Sequence, residues 1–346
     1  MRWTRRPEGS TWADWGPDDQ LGRMNLVTPE RVKRAVAEVK EGRTFCLSLP
    51  LDVPGGNVLN PRRHPPVLRP TERDGKPYMN FPLRRVDPHL TDVICDDAAL
   101  LHLQYSTQWD SFAHVGSHFD ADGDGVPERC YYNGFRADED VVGPVMYREG
   151  GEEVPRDGWS GARKLSIDNM AVTCAQGRGV MIDLLAHFGP GRTIVGWNEL
   201  ARVLDADKIA VEPGDFVLFR TGFSDALLEM APTPDGARLA ETGAVLDGRD
   251  KRLLQWVTDS GCVALIADNY AVEAFPARPC EADTCAGLPL HEHCLFKLGV
   301  HLGELFLLSP LADWLRAHRR HAFLFTGPPL RLPGAVGSPA TPVATV

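Results

Sequence analysis

The sequence predicts a single α/β or α+β domain around a mixed β-sheet, and three observations support this. First, the second half of the chain contains short apolar runs bounded by turn residues, typical of strands covered on both faces. These runs are 179–184, 215–222, 263–269 and 322–326. Second, amphipathic segments predicted to be helices alternate with them. These segments are 198–204, 252–258 and 310–318. Third, no repeat, low-complexity linker or shift in composition divides residues 1–346.

Composition narrows the classes of protein. The 346 residues can bury a large core, and 43% apolar with 24% charged residues is typical of a globular protein. A net charge of −10 argues against a nucleic-acid partner. No apolar run approaches the ~20 residues that span a bilayer, and no secretory signal follows Met1. We therefore expect a cytoplasmic protein with neither a nucleic-acid nor a membrane partner.

The eight cysteines are scattered, and most are expected to be small core residues. Cys280 and Cys285 share a predicted loop, where they either pair or are reactive. A cytoplasmic setting disfavours a structural disulfide between them.

The first half of the chain opens with a helix signal. Thr28 is a hydroxyl N-cap, Pro29 suits the first helical position, and the helix is predicted to stop at Gly42. Residues 51–86 are rich in Pro, Arg and Gly and are predicted to form a long loop. Such a loop either covers a site or a subunit contact, or simply runs over the surface.

The stretch HLQYSTQWDSFAH, residues 102–114, carries the first candidate site residues. As a strand it would present a polar row on one face, because side chains alternate between faces. That row is His102, Gln104, Ser106, Gln108 and Asp110. The simplest interpretation is an antiparallel strand with one solvated face. The alternative is that the row, with His114 after it, delivers metal ligands into one cavity.

A second candidate follows in FDADGDG, where Asp120, Asp122 and Asp124 match the start of a calcium-binding loop. The twelfth position of that motif, normally Glu, is Tyr131. A solvated acidic turn therefore fits better, and a calcium ion at 120–125 is the alternative.

The third candidate lies in the segment 288–308. As a strand, this segment places Glu304 on one face with Val300 and Leu302. A carboxylate in apolar surroundings costs several kcal/mol unless it is paired, protonated or bound to a metal. Together with Asp110, His114 and His291 it would make a mixed N/O set suited to Zn²⁺, Mn²⁺ or Fe²⁺. With eleven histidines in the chain, spacing alone does not single out this set.

Several stretches, in a fixed order, carry a resemblance to a known family. They are WGPDDQLGRMNLVTPE, TQWDSFAHVG, YYNGF, GRGVMIDL, PGDFVLFRTG, ALIADNYAVEAFP, CLFKLGVHLGELFLL and PPLRLPGAVGSP. Along most of its length the chain resembles the cyclase, or kynurenine formamidase-like, family of metal-dependent hydrolases. The resemblance implies a compact domain around a mixed sheet or barrel-like core, assembled into homo-oligomers (dimers or tetramers).

The family hallmark, H-x-G-T-H-x-D-x-P-x-H, is only partly retained. Its Asp and last His become Asp110 and His114, whereas its first two His become Gln104 and Gln108. Phe112 replaces the Pro, and the family's later His and Glu map onto His291 and Glu304. The resemblance thus implies one retained metal position and a second that is lost or altered. Gln104 and Gln108 would then orient substrate or act as weak ligands.

A rival register reads the hallmark from His114 through His118 to Asp120. Its continuation fails, because Asp122 and Asp124 stand where Pro and His are expected. We favour the Asp110 register, which makes 116–130 a loop insertion.

The leading hypothesis is a hydrolase that uses one divalent ion, Zn or Mn, to cleave an amide, lactone or ester of a small carbonyl compound. The metal ligands would be Asp110, His114, His291 and Glu304. Glu304 or His114 would be the catalytic proton acceptor, with His118 and His301 as alternatives. Candidate substrate-binding residues are Gln104, Gln108, Asn269 and Tyr132. The alternatives are a metal-dependent lyase or cyclase of secondary metabolism and a non-catalytic small-molecule binder.

Overall fold

A nine-stranded sheet lies at the centre of the computed structural model, which describes residues 2–148 and 150–346. Its strands are β1 (Thr44–Cys46), β2 (Gln108–Asp110), β3 (Gln176–Asp183), β4 (Phe216–Arg220), β5 (Ala264–Ala267), β6 (His301–Glu304), β7 (Ala322–Thr326), β8 (Gly337–Pro339) and β9 (Val343–Thr345). Their order is β1-β9-β7-β3-β4-β5-β6-β2-β8. Strands β3 to β6 run parallel, and the flanking pairs are antiparallel. The sheet curls into a half-barrel, which confirms the predicted α/β domain with a mixed sheet.

Helices cover both faces of the sheet. They are α1 (Pro29–Val36), α2 (Asp168–Val172), α3 (Leu184–Phe188), α4 (Trp197–Asp207), α5 (Phe223–Met230), α6 (Gly236–Ala240), α7 (Lys251–Ser260), α8 (Pro289–His291) and α9 (Ser309–Ala317). A π-helical segment, Glu292–Leu298, continues α8. Short 3₁₀ turns occupy Gly22–Leu26, Leu83–Arg85 and Tyr132–Gly134.

Alternation along the central strands divides the core between the two faces. Val217 and Leu265 belong to the cluster that packs with Leu253 of α7. Their neighbours Leu218 and Ile266 belong to the cluster on the other face, which includes residues of α9. The predicted apolar runs are therefore the strands β3, β4, β5 and β7. Strands β4 and β5 are buried on both faces as expected, whereas alternate residues of β7 are only partly buried.

Helix α1 begins as predicted, with the Thr28 hydroxyl accepting from the Arg31 backbone N–H at 3.4 Å. It ends at Val36, earlier than the predicted stop at Gly42. After Val36 the chain continues in tighter turns, in which the Glu38 and Val39 N–H groups donate to the Ala35 and Val36 carbonyls. The backbone N–H groups of Glu41 and Gly42 donate to the Val346 carbonyl, which pairs them with a distant part of the chain.

The remaining strands pair two by two outside the central sheet. They are Val67–Pro70 with Asp97–Leu100, Glu72–Arg73 with Lys76–Pro77, Phe81–Pro82 with Val93–Ile94, Ser117–Phe119 with Glu128–Cys130, Val141–Val142 with Gly161–Ala162, Val145–Tyr147 with Glu153–Pro155, and Thr193–Val195 with Ala244–Leu246. The segment predicted as a long loop, 51–86, thus contains short ribbons from Val67 onward. The predicted insertion at 116–130 is a hairpin with an acidic turn.

The ribbons between 67 and 100 expose apolar side chains, including Leu68, Val93 and Leu100. An isolated two-stranded ribbon is marginally stable. The homo-oligomer stays a prediction, which size-exclusion chromatography with light scattering tests directly.

Cys280 and Cys285 are joined by a disulfide, although a cytoplasmic setting disfavours one, and their separation of five residues brings their Cα atoms to 6.5 Å. Among the described residues, every helix is too short or too polar to cross a membrane.

Candidate metal centre

Strands β2 and β6 place three polar side chains on one face of the sheet. Their antiparallel register sets Gln108 opposite Glu304 and Asp110 opposite Leu302. Side chains two residues apart share a face, so Gln108, Asp110 and Glu304 point the same way. Between them Trp109 faces the other core cluster, where its indole N–H donates to the Gly327 carbonyl at 2.7 Å.

The strand that carries Asp110 is shorter than the sequence predicts. Only Gln108–Asp110 pairs with β6 and β8, whereas a strand was expected over 102–110. The preceding residues form turns, one of them closed by the Tyr105 N–H donating to the His102 carbonyl. The polar alternation of 102–108 therefore reflects turns and not a longer strand.

His291 reaches the same spot from the end of α8, and Glu273 fixes its ring. The Glu273 carboxylate accepts from the Leu290 and His291 backbone N–H groups, each at 3.0 Å, and lies 2.8 Å from His291 Nδ1. Because Nδ1 faces Glu273, the other ring nitrogen, Nε2, faces Glu304 Oε1, 3.4 Å away. A carboxylate that orients a histidine ligand is the usual arrangement at a metal site.

Sequence reasoning missed Glu273, although a signal was present. Glu273 follows β5 in the stretch NYAVEAFP and is fully buried. The argument that singled out Glu304, a carboxylate in apolar company, applies equally to Glu273.

Asp110, His291 and Glu304 form a buried cluster whose ligand atoms all lie within 4.8 Å of one another. His114 adjoins this cluster without belonging to it, with Nε2 at 3.8 Å from Asp110 Oδ1 and a side chain that is 23% exposed. The structure thus brings together three of the four predicted ligands, with His114 beside them. Gln108 donates to Glu304 Oε2 at 3.1 Å.

The electrostatics of the cluster fit a cation. Within the described part of the chain, both carboxylate oxygens of Asp110 are buried without a hydrogen-bond partner. Burial raises the pKa of Asp110, with His114 acting in the opposite direction. Burial alone would lower the pKa of His291, but its hydrogen bonds to Glu273 and Glu304 raise it to about 10. A buried carboxylate of this kind costs several kcal/mol unless a positive charge compensates it. Two carboxylates and an imidazole are ligands that Zn²⁺ and Mn²⁺ accept, so the residues present fit a divalent ion.

A cavity of about 330 Å³ opens over the cluster, within the range of small-molecule sites. Its lining includes His291 and Glu304 from the cluster, and Gln104 and His114 beside it. The predicted 51–86 loop also contributes to the wall, through residues between Pro54 and Arg63. This placement corresponds to the alternative in which that loop covers a site.

The four residues predicted to bind substrate occupy different places. Gln104 lines the cavity with Nε2 3.4 Å from His114 Nδ1, and Gln108 contacts Glu304. Asn269 is buried and donates to the Ala244 carbonyl at 2.9 Å. Tyr132 is fully buried in the core, where its hydroxyl lies 3.3 Å from Asp19, so its partners come from the start of the chain and not from the cavity.

The alternative proton acceptors also lie outside the cavity lining. His118 is exposed on the hairpin. His301 is buried, stacks on Phe112 with ring centroids 4.2 Å apart, and has its Nδ1 3.0 Å from the Asp110 carbonyl oxygen. Burial lowers the pKa of His301 to about 4.

The rival register places Asp120 at the centre, but the structure places Asp120 elsewhere. It lies in the exposed acidic turn, with its carboxylate oxygens near those of Asp122 and Asp124. Its Oδ2 accepts from Arg5 Nη1 at 2.5 Å, so an arginine already compensates it. Calcium at 120–125 finds no support beyond this acidic group.

Asp268, at the end of β5, joins the ends of two strands. Its carboxylate accepts from the backbone N–H groups of Thr221 at 2.8 Å and Gly222 at 2.9 Å, and from the Thr221 hydroxyl at 2.6 Å. Burial nevertheless raises the pKa of Asp268 to about 7 from its usual 3.8. This residue is therefore a structural connection at the strand ends.

We expect Asp268 to make stability depend on pH. Between about pH 4 and pH 7 the folded state holds a proton that the unfolded state has released, so stability falls as pH rises through this window. Asp268→Asn removes this titration, and its curve of unfolding free energy against pH should be flatter by about 1.4 kcal/mol per pH unit at most. Urea denaturation of both proteins at pH 5, 6, 7 and 8 measures the difference. Parallel curves would contradict the prediction.

The fold and the site together define an α/β protein with a candidate metal centre below a small-molecule cavity. Residues 47–274 match the family model described as "Putative cyclase". The chain belongs to this family, which confirms the resemblance read from its sequence motifs. No curated protein sequence matches the chain.

Solved structures share the fold. The crystal structure of a novel cyclase matches with a TM-score of 0.73 and 27% identity, over 97% of this chain and 97% of that chain. Isatin hydrolase A from Labrenzia aggregata, bound to benzyl benzoate, matches with a TM-score of 0.54 and 13% identity, over 88% of this chain and 93% of that chain. An isatin hydrolase bound to the product analogue thioisatinate matches with a TM-score of 0.52 and 13% identity, over 91% of this chain and 95% of that chain.

Proposed function

We propose that the protein is a metal-dependent hydrolase that cleaves an amide, lactone or ester bond of a small carbonyl compound. The observation that carries the proposal is the buried Asp110 carboxylate, which has no hydrogen-bond donor among the described residues. It lies beside His291 and Glu304, two residues that line the cavity. Membership of the cyclase family and the fold shared with two isatin hydrolases support the same class of reaction.

Asp110, His291 and Glu304 would hold the ion, Zn or Mn. When bound, a divalent ion supplies Lewis acidity, which lowers the pKa of water and polarises a carbonyl group. Three protein ligands are what catalytic zinc sites use, since a further position stays open. Glu273 holds the His291 ring with Nε2 directed to the cluster. Gln108 donates to Glu304 Oε2 and restrains that carboxylate from the neighbouring strand.

His114 is the residue best placed to move a proton. Its ring lines the cavity, partly exposed, beside Asp110 and within 3.4 Å of Gln104. In the proposed reaction His114 accepts a proton from water and returns it to the departing nitrogen or oxygen. Glu304 remains the alternative acceptor if it leaves the ion.

We expect His114→Gln to lower kcat by about 10²–10⁴-fold while the ion stays bound, because the loss removes general acid–base catalysis and not a member of the three-residue cluster. Steady-state kinetics and elemental analysis of the same preparation measure both quantities. His118→Gln, which alters an exposed imidazole on the nearby hairpin, is the matched control and should behave as wild type. Loss of the ion from His114→Gln would assign His114 as a fourth ligand.

A lyase or cyclase reaction is the second candidate, favoured by the similarity to a novel cyclase over almost the whole chain. Turnover in H₂¹⁸O separates the two, since hydrolysis places one ¹⁸O in the product and a lyase reaction places none. A metal-loaded protein that turns over none of a broad panel of amides, lactones and esters would instead be a non-catalytic binder. The cytoplasmic location stays a prediction.

A further inference from the structure

Two arginines stand on the cavity wall formed by the 51–86 loop. Among the described residues that line the cavity, Arg62 and Arg63 are the arginines, and both belong to this loop. Arg63 Nη1 donates to the Gln104 carbonyl at 2.7 Å, which fixes the guanidinium and leaves most of its five N–H donors for other partners. Within residues 2–148 and 150–346, no carboxylate forms an ion pair with either guanidinium.

The rest of the wall is largely apolar. It is formed by Leu59, Val115, Tyr270, Phe275, Leu288 and Leu305. Phe275 is 49% exposed, so an aromatic ring stands partly open to solvent at this wall. Such a surface favours a ligand with an apolar or aromatic body.

The charged residues around the cavity indicate which group this ligand carries at its other end. The centre below has three buried carboxylates, from Asp110, Glu273 and Glu304. A divalent ion would compensate two of these charges, and the Arg63 guanidinium lines the cavity beside the cluster. Arg62 is exposed to solvent and lines the same cavity, so a second guanidinium is available to a ligand there. A guanidinium group matches the geometry of a carboxylate, to which it can donate two parallel hydrogen bonds.

We propose that the substrate is a small organic anion with an apolar or aromatic body, and that Arg62 and Arg63 bind its carboxylate while its reacting carbonyl faces Asp110, His291 and Glu304. The inference rests on the proposed function for the identity of the reacting group. The recognition of an anion by the two arginines does not depend on the bond cleaved.

The test uses two probes of equal size that differ in charge. Benzenesulfonate is an anion and a weak metal ligand, and methyl phenyl sulfone is its neutral counterpart. Titration calorimetry on the metal-loaded full-length protein should show that the sulfonate binds at least about 10-fold more tightly than the sulfone. Arg63→Gln and Arg62→Gln should each remove much of this preference, and Arg63→Lys should retain part of it because it keeps the charge. Arg69→Gln, an exposed arginine outside the cavity, is the matched control and should change nothing.

The outcomes are distinguishable. A merely structural role for Arg63 would weaken both probes equally, and equal affinity of the wild type for the two probes would overturn the inference. Hydrolysis is followed in parallel with 4-acetoxybenzenesulfonate and 4-(methylsulfonyl)phenyl acetate, each normalised to its uncatalysed rate. Cleavage of both esters without charge preference keeps the proposed function and rejects the anion site. Charge-selective binding of the probes without cleavage of either ester keeps the anion site and rejects the proposed function.

Discussion

The Asp110→Asn variant is expected to lose the divalent ion and, with it, all activity above background. Asp110 contributes a buried carboxylate whose two oxygens have no hydrogen-bond partner among the described residues. Loss of a residue that merely supports a ligand weakens metal binding by about 10–100-fold, so loss of a ligand should exceed about 100-fold. Elemental analysis after dialysis gives the stoichiometry per chain, and calorimetric titration of the metal-free protein gives the affinity.

Stability separates this effect from misfolding. In the presence of a chelator, Asp110→Asn should be at least as stable as wild type, because a neutral amide replaces a buried charge that lacks a donor. Asp120→Asn is the matched control, since Asp120 lies in the exposed acidic turn and pairs with Arg5. Should Asp120→Asn empty the site and Asp110→Asn leave it filled, the rival register of the hallmark would be correct.

The Glu273→Gln variant is expected to lower the unfolding free energy by about 2–4 kcal/mol and to weaken metal binding by about 10–100-fold. The carboxylate accepts three N–H groups, two from the backbone and one from the His291 ring. Glutamine keeps a single acceptor oxygen and turns an NH₂ group toward one of these donors, so a buried N–H is left unpaired. The His291 ring also loses a charged partner, which weakens the hydrogen bond that sets its tautomer.

Urea denaturation in chelator measures the stability, and titration with Zn²⁺ and Mn²⁺ then measures the affinity. Glu153→Gln changes an exposed carboxylate in a peripheral ribbon and should stay within about 0.5 kcal/mol of wild type. An unchanged metal affinity in Glu273→Gln would mean that Glu273 supports the fold and not the centre.

The central sheet was predictable because its inner strands, of which β4 and β5 are the clearest, are buried on both faces. Such strands need continuous apolar runs, and β3, β4, β5 and β7 lie within or overlap the runs identified. The short strand β2 was harder, since its three residues pair with β6 and β8, which are far away in sequence. The alternation of polar and apolar residues in the preceding turns led to a predicted strand over 102–110, although residues 102–107 do not pair in the sheet.

The candidate site was predictable only where a residue type conflicted with its neighbours. Glu304 stood out as a carboxylate among apolar residues, and the family resemblance connected it with Asp110 and His291. Glu273 carried the same conflict and was overlooked. The position of Tyr132 depends on tertiary contacts with Thr11 and Asp19, which no local pattern encodes.

Strand β2 obtains both of its neighbours from late in the chain, since β6 and β8 follow it by almost two hundred residues or more. The Gln108–Glu304 hydrogen bond alone spans 196 positions. During translation, the strand that carries Asp110 can therefore pair on both sides only after residue 339 has been synthesised. Contacts this distant form slowly, so metal capture should come among the last events of biogenesis, after most of the sheet has assembled.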